Sequence, residues 1–130
     1  MKVGDFIGIP YKHLGRDESG LDCWGLVLLF YKKIKNIELP DYTEYIRDWH
    51  DAGENTLQEQ LDTFAGLWDK VDSINKHDIV IFKDKNSGIE RHCAVYLGDG
   101  KILHCYHGMS VVIDRLSKWK GVSKIVRYNG

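Results

Sequence analysis

The chain has 130 residues, 43% of them hydrophobic and 28% charged, with a net charge of −1. That length suits one globular domain, spanning residues 1–130, with room for a real core. The near-neutral balance gives no basic patch for nucleic acid and no charge run for an anionic membrane surface. The opening residues Met1-Lys2-Val3-Gly4-Asp5 lack an apolar signal core and a cleavage site, so synthesis in the cytoplasm is expected. The apolar run Leu26 to Tyr31 is too short to span a bilayer, and no membrane insertion is expected. Three cysteines cannot all pair within one chain, which favours free thiols.

Phe6-Ile7-Gly8-Ile9-Pro10 is a short apolar start, followed by a Gly- and Asp-rich stretch that ends at Asp22. Asp22 can cap a helix, because its carboxylate accepts from the first unpaired helical N–H groups. The helix is expected from Cys23 to about Lys35. Its nearly continuous apolar run Leu26-Val27-Leu28-Leu29-Phe30-Tyr31 predicts burial around most of the circumference. Lys32, Lys33 and Lys35 suit its negative end. Leu39-Pro40-Asp41-Tyr42 breaks the pattern, and residues 41–56 are expected as a loop.

A second helix is predicted over about Glu54 to Trp68, because Leu57, Leu61, Phe64 and Trp68 recur at helical spacing. From Asp78 onward the texture is that of strands. Ile79-Phe82, Cys93-Leu97, Lys101-Cys105, Val111-Ile113 and Lys124-Val126 are the predicted five. Helices followed by an antiparallel meander define an α+β class. There is no internal repeat, low-complexity segment or interdomain linker.

Cys23 stands where a helix N-terminus offers positive potential and unpaired N–H groups, which favour thiolate and can hold an oxyanion. The plainer alternative is a small buried hydrophobe. His92 and His104 lie on consecutive predicted strands joined by Gly98-Asp99-Gly100. A two-residue loop would pair Val95 with His104 and set the histidines on opposite faces. A three-residue loop pairs Leu97 with Lys101 and Ala94 with His104, making the histidines diagonal neighbours on one face. Gly100 supplies the left-handed residue that this form needs, so it is the expected register. Cys93 and Cys105 then point to the other face, with Val95, Leu97 and Leu103.

On that geometry His92 is a general base for Cys23 and His104 orients it, although an uncharged orienter stabilises imidazolium less than a carboxylate does. The plainer reading of His92 is a hydrogen-bonded core histidine. A zinc site from His92-Cys93 and His104-Cys105-Tyr106-His107 is disfavoured. No Cys-x-x-Cys pair exists, and adjacent strand residues face apart. No metal or other cofactor is expected. His13, His50 and His77 read as surface or loop residues, and Trp24 as core packing or a wall of the cleft. Tyr11 reads as a surface aromatic or a donor to substrate.

Asp22-Cys23-Trp24-Gly25-Leu26, together with His92-Cys93-Ala94-Val95-Tyr96-Leu97-Gly98-Asp99-Gly100-Lys101-Ile102-Leu103-His104, resembles the NlpC family of cell-wall cysteine peptidases. The family pattern is Asp-Cys-Ser-Gly at a helix start, then a His-initiated strand, a glycine-rich turn and a second His twelve residues on. His77-Asp78-Ile79-Val80-Ile81-Phe82 is similar to its Gly-Asp-Leu-Val-Phe-Phe strand. The resemblance covers essentially the whole chain. It implies a papain-like α+β domain with N-terminal helices packed on an antiparallel sheet. It further implies Cys23 as nucleophile, His92 as base, His104 as orienter, and substrate contacts from Tyr11, Asp22 and Trp24.

The implied reaction is hydrolysis of an amide bond in peptidoglycan stem peptides, between D-glutamate and the diamino acid that follows. Two departures stand out: Trp24 replaces Ser, and Cys93 replaces a small or aliphatic residue. The Cys-Trp-Gly-Leu form with Leu39-Pro40-Asp41-Tyr42 looks most like members from phage tail tips. It implies phage tail-tip proteins as partners and incorporation into a virion tail. The rival is a non-catalytic tail assembly protein that keeps the peptidase fold.

Overall fold

A computed structural model of the chain describes residues 1–40, 67–83 and 90–130. A 3-10 turn covers Val3–Phe6, and a short hairpin pairs β1 (Arg16–Asp17) with β2 (Gly20–Leu21). Helix α1 follows at Cys23–Ile34. The remaining strands are β3 (Trp68–Val71), β4 (Ile79–Lys83), β5 (Glu90–Gly98), β6 (Lys101–Cys105), β7 (Val111–Arg115) and β8 (Val122–Tyr128). They form an antiparallel sheet in the order β3-β8-β4-β5-β6-β7.

α1 begins where the sequence signals it. The Asp22 carboxylate accepts from Gly25 N at 2.7 Å, satisfying one of the first unpaired N–H groups. The helix stops where Asn36 turns left-handed (φ 55°), and Lys35 N and Ile37 N both return to the Tyr31 carbonyl. Leu26, Val27 and Phe30 are fully buried, which stabilises each by about 1.5–3 kcal/mol relative to exposure.

The sheet has two differently used faces. Against α1 it presents Ile79, Ile81, Cys93, Val95, Leu103, Cys105, Val111 and Val126. The opposite face holds a smaller cluster of Val80, Phe82, Ala94 and Ile102, covered in part by Leu116 and Trp119. The period of two within each strand assigns neighbours to opposite faces.

The β5–β6 turn reaches the expected face by another route. Gly98 pairs with Lys101 across a two-residue Asp99-Gly100 loop with positive φ at both positions (53° and 75°). A bulge then leaves Leu97 unmatched, and Tyr96 pairs with Ile102 and Val95 with Leu103. The extra residue restores the parity that a plain two-residue loop would have broken. His92 and His104 therefore share a face.

Most of the helix predicted over about Glu54 to Trp68, residues 54–66, lies outside the described residues, as do His50 and the predicted loop of 41–56. Its last member, Trp68, is instead the first residue of β3, opposite Tyr128. There its ring meets Trp24, Tyr31 and Tyr128 at centroid distances of 6.0, 5.9 and 5.7 Å. Cross-strand pairing and that aromatic cluster outweigh the helical spacing. His77 lies in the turn before β4 and is half-buried. Its carbonyl accepts from the Tyr31 hydroxyl at 2.6 Å, and its ring packs edge-on to Phe30.

Candidate active site

His92 lies near the start of β5 and His104 near the end of β6, and both side chains are buried. His92 Nε2 and His104 Nδ1 are 2.8 Å apart. Three aromatic side chains wall the pair. Phe82 stacks on His92 at 5.5 Å, Tyr106 meets His92 edge-on at 5.0 Å, and Trp119 meets His104 edge-on at 4.6 Å. On its far side His104 Nε2 is 3.2 Å from Asp114 Oδ2. The Trp119 indole N–H donates to the same oxygen at 3.1 Å. That bond, more than any other contact, holds the Asp114 carboxyl below the usual carboxylate range. Burial lowers the pKa of His104 despite the neighbouring carboxylate, which favours a neutral ring near pH 7.

Neither Trp119 nor Asp114 is visible as a site residue in the sequence. Asp114 joins His104 only because β7 pairs with β6 as Ile102 opposite Asp114 and His104 opposite Val112. The alternation on β7 signals which residues share a face, but the register comes from the turn between the strands.

Cys23 is the first residue of α1 and is buried in the core between helix and sheet. The Cys93 thiol donates to the Cys23 carbonyl at 3.4 Å. Successive residues of β5 face opposite sides of the sheet, so Cys93 meets Cys23 on the side packed against α1, whereas His92 meets His104 on the other. Burial, and secondarily the Cys93 thiol, push the Cys23 pKa well above its ordinary value. In this arrangement desolvation outweighs the helix N-terminus, and Cys23 is a protonated thiol rather than a ready thiolate.

The residues implied to touch substrate separate into two groups. Tyr11 is half-buried, its N–H donates to the Met109 carbonyl at 2.8 Å, and its ring meets His107 edge-on at 4.9 Å. Asp22 and Trp24 are almost completely buried, at 0% and 1% exposure. Asp22 caps α1, accepts from Leu14 N at 3.2 Å and pairs with Arg16 at 2.9 Å. Trp24 packs on Trp68. Their lone pairs and surface are thus engaged in holding the loop before α1 and the core, a use that the motif alone does not reveal. Gly25 serves the same junction, since a Cβ there would lie 1.9 Å from the Gly15 carbonyl oxygen.

Among the described residues, no group of three or more His, Cys, Asp and Glu side chains is arranged to hold a metal ion. No helix among them is long and apolar enough to cross a membrane.

An apolar helix backed by an antiparallel sheet, with a cysteine at the helix start and a histidine pair on neighbouring strands, is an α+β domain of papain-like form. The chain belongs to the NlpC/P60 family, whose model matches residues 8–127. It is similar to the murein DD-endopeptidase MepS/murein LD-carboxypeptidase of Escherichia coli K12. The two are 25% identical over 121 residues, which is 92% of this chain and 55% of that protein. It is also 30% identical over 103 residues to the tail tip assembly protein K of Escherichia phage lambda, covering 78% of this chain and 50% of that one. The chain thus spans about half the length of these curated relatives. The crystal structure of the NlpC/P60 domain of the peptidoglycan hydrolase SagA matches with a TM-score of 0.63 at 25% identity. That match covers 96% of this chain and 92% of the SagA domain.

Proposed function

We propose that this protein is a cysteine endopeptidase that hydrolyses amide bonds in peptidoglycan stem peptides. The observation that carries the reading is the 2.8 Å contact between His92 Nε2 and His104 Nδ1, which fixes the orientation of a buried imidazole and leaves its Nδ1 for proton transfer. Membership in a family of peptidoglycan hydrolases supports the substrate class.

In this proposal Cys23 is the nucleophile, His92 the general base and His104 its orienter. His92 Nδ1 takes the thiol proton as sulfur adds to the scissile carbonyl. The cycle requires the Cys23 thiol to lie within hydrogen-bond reach of that nitrogen when substrate is bound, a geometry that commonly tightens only in the complex. The oxyanion is held at the start of α1, with the Cys23 N–H as one donor. Collapse expels the amine, which receives the proton from His92, and leaves a thioester on Cys23. Water, deprotonated by His92, then releases the acid and restores the thiol. The scissile bond lies between D-glutamate and the following diamino acid, and Tyr11 donates to the peptide. Likeness to a phage tail tip protein supports carriage on a virion tail after synthesis in the host cytoplasm.

The test is digestion of purified peptidoglycan and of soluble stem peptides, read by mass spectrometry, with Cys23→Ala in parallel. New termini at the D-glutamyl bond that vanish in Cys23→Ala are expected. Products cut at the D,D-crosslink instead would reassign the bond. Undiminished cleavage by Cys23→Ala would remove Cys23 as nucleophile.

A further inference from the structure

The carboxylate behind His104 has a consequence for His92 that the three-residue site does not contain. An ionised carboxylate is an acceptor only, so the 3.2 Å contact between Asp114 Oδ2 and His104 Nε2 requires the proton on Nε2. In a neutral ring His104 Nδ1 is then bare and accepts. The 2.8 Å contact to His92 is therefore a donation from His92 Nε2–H. With its proton committed to Nε2, a neutral His92 has a bare Nδ1. Each bond in the chain decides the tautomer of the next ring.

We propose that Asp114 is a positioning residue of the site: through His104 it makes Nδ1 the basic nitrogen of His92. Trp119 completes the device, because its indole N–H lies 3.1 Å from the same Oδ2 and orients the carboxylate toward His104. The relay is a row of four side chains, Trp119, Asp114, His104 and His92, drawn from a turn and three adjacent strands. It supplies the carboxylate that a Cys-His-His site otherwise lacks, and it stabilises the imidazolium formed when Nδ1 takes a proton.

Among the described residues, the charged or titratable groups facing this row are few. Lys118 Nζ approaches Asp114 Oδ1 at 4.0 Å from an exposed position, and Tyr106 lies against His92. An exposed pair at that distance contributes little, so Lys118 does not set the tautomer. The catalytic consequence rests on the peptidase reading, whereas the tautomer assignment does not.

The test reads the two apart. Nitrogen-15 spectra of the imidazoles, recorded on the full chain near neutral pH, report the tautomers whether or not the protein turns over. Both His92 and His104 are expected to carry their proton on Nε2. Asp114→Ala is expected to mix both tautomers and to lower kcat about 10–100-fold with little change in KM, part of what a positioned base supplies. Asp114→Asn is nearly isosteric and keeps an acceptor oxygen for both donors, so it should retain the tautomers and recover part of the loss. Lys118→Ala should change neither.

A wild-type His104 protonated on Nδ1, or unchanged tautomers in Asp114→Ala, would overturn the proposal. Mixed tautomers with undiminished kcat would overturn its catalytic consequence. Asp114-dependent tautomers without any Cys23-dependent cleavage would support the positioning and tell against the peptidase reading.

Discussion

The Cys93 thiol donates to the backbone carbonyl of Cys23 at 3.4 Å, tying the first residue of α1 to the strand that carries His92. It also stands against the Cys23 thiol and helps to raise its pKa, second only to burial. Replacing Cys93 by Val keeps the volume and removes the thiol. Cys23 should then ionise at lower pH, so its alkylation by iodoacetamide should be faster at any pH below its midpoint. Burial persists, so the midpoint stays above the ordinary thiol value. An unchanged rate profile would show that Cys93 does not influence the nucleophile.

Gly25 offers a test in which propensity and packing predict opposite signs. In a helix interior, Gly→Ala should stabilise by about 1 kcal/mol. Here the new methyl would lie 1.9 Å from the Gly15 carbonyl oxygen and 3.1 Å from the Asp22 carboxylate that caps the helix. Overpacking of that kind costs about 1–3 kcal/mol or more. Gly25→Ala should therefore lower the urea midpoint, and a raised midpoint would refute the close approach.

Arg127 on β8 grips Asp78, just before β4, with two bonds: Nε to Oδ1 at 2.9 Å and Nη2 to Oδ2 at 2.8 Å. Asp78 is 2% exposed, whereas the Arg127 side chain is 37% exposed. Removing the cation leaves a buried carboxylate that still accepts from the Asn75 N–H at 2.8 Å. Arg127→Ala should cost about 2–3 kcal/mol by equilibrium unfolding, at or below the roughly 3–5 kcal/mol of a fully buried pair because Arg127 is 37% exposed. Asp78→Asn with Arg127→Ala should recover part of that loss, because no buried charge then remains.

Alkaline pH should unfold the protein through its thiols. Burial pushes Cys105 up to about 12 and Cys23 well above its ordinary value. Both thiols hold their protons more tightly folded than unfolded. Their contribution is complete below the unfolded value of about 8.5; that of Cys105 is lost as pH rises toward 12, and that of Cys23 as pH rises through its own raised value. Each thiol should remove about 1.4 kcal/mol of stability per pH unit in that window. Urea midpoints measured between pH 8 and 11 should fall accordingly. Cys105→Ala should flatten the slope, and a slope unchanged by it would exclude that thiol.

Much of this protein was legible in its residues because the relevant physics is local. Asp22 before an apolar run marks a helix start, alternation marks strands, and Asp99-Gly100 marks a hairpin. Spacing along β5 and β6 even makes a histidine pair on one face a reasonable expectation. The tertiary structure decided what depends on register and burial. The parity that unites His92 with His104 comes from a bulge at Leu97, not from a longer loop. Trp68 is a strand residue because Tyr128 and the aromatic cluster hold it there, which helical spacing cannot reveal. Asp22 and Trp24 are buried, and Cys23 is a neutral thiol, because desolvation is a property of everything packed around a group. Asp114 and Trp119 reach the histidines only through the pairing of β7 with β6 and the turn that follows β7. Local chemistry names the residue types, but only the packed sheet determines which of their atoms meet.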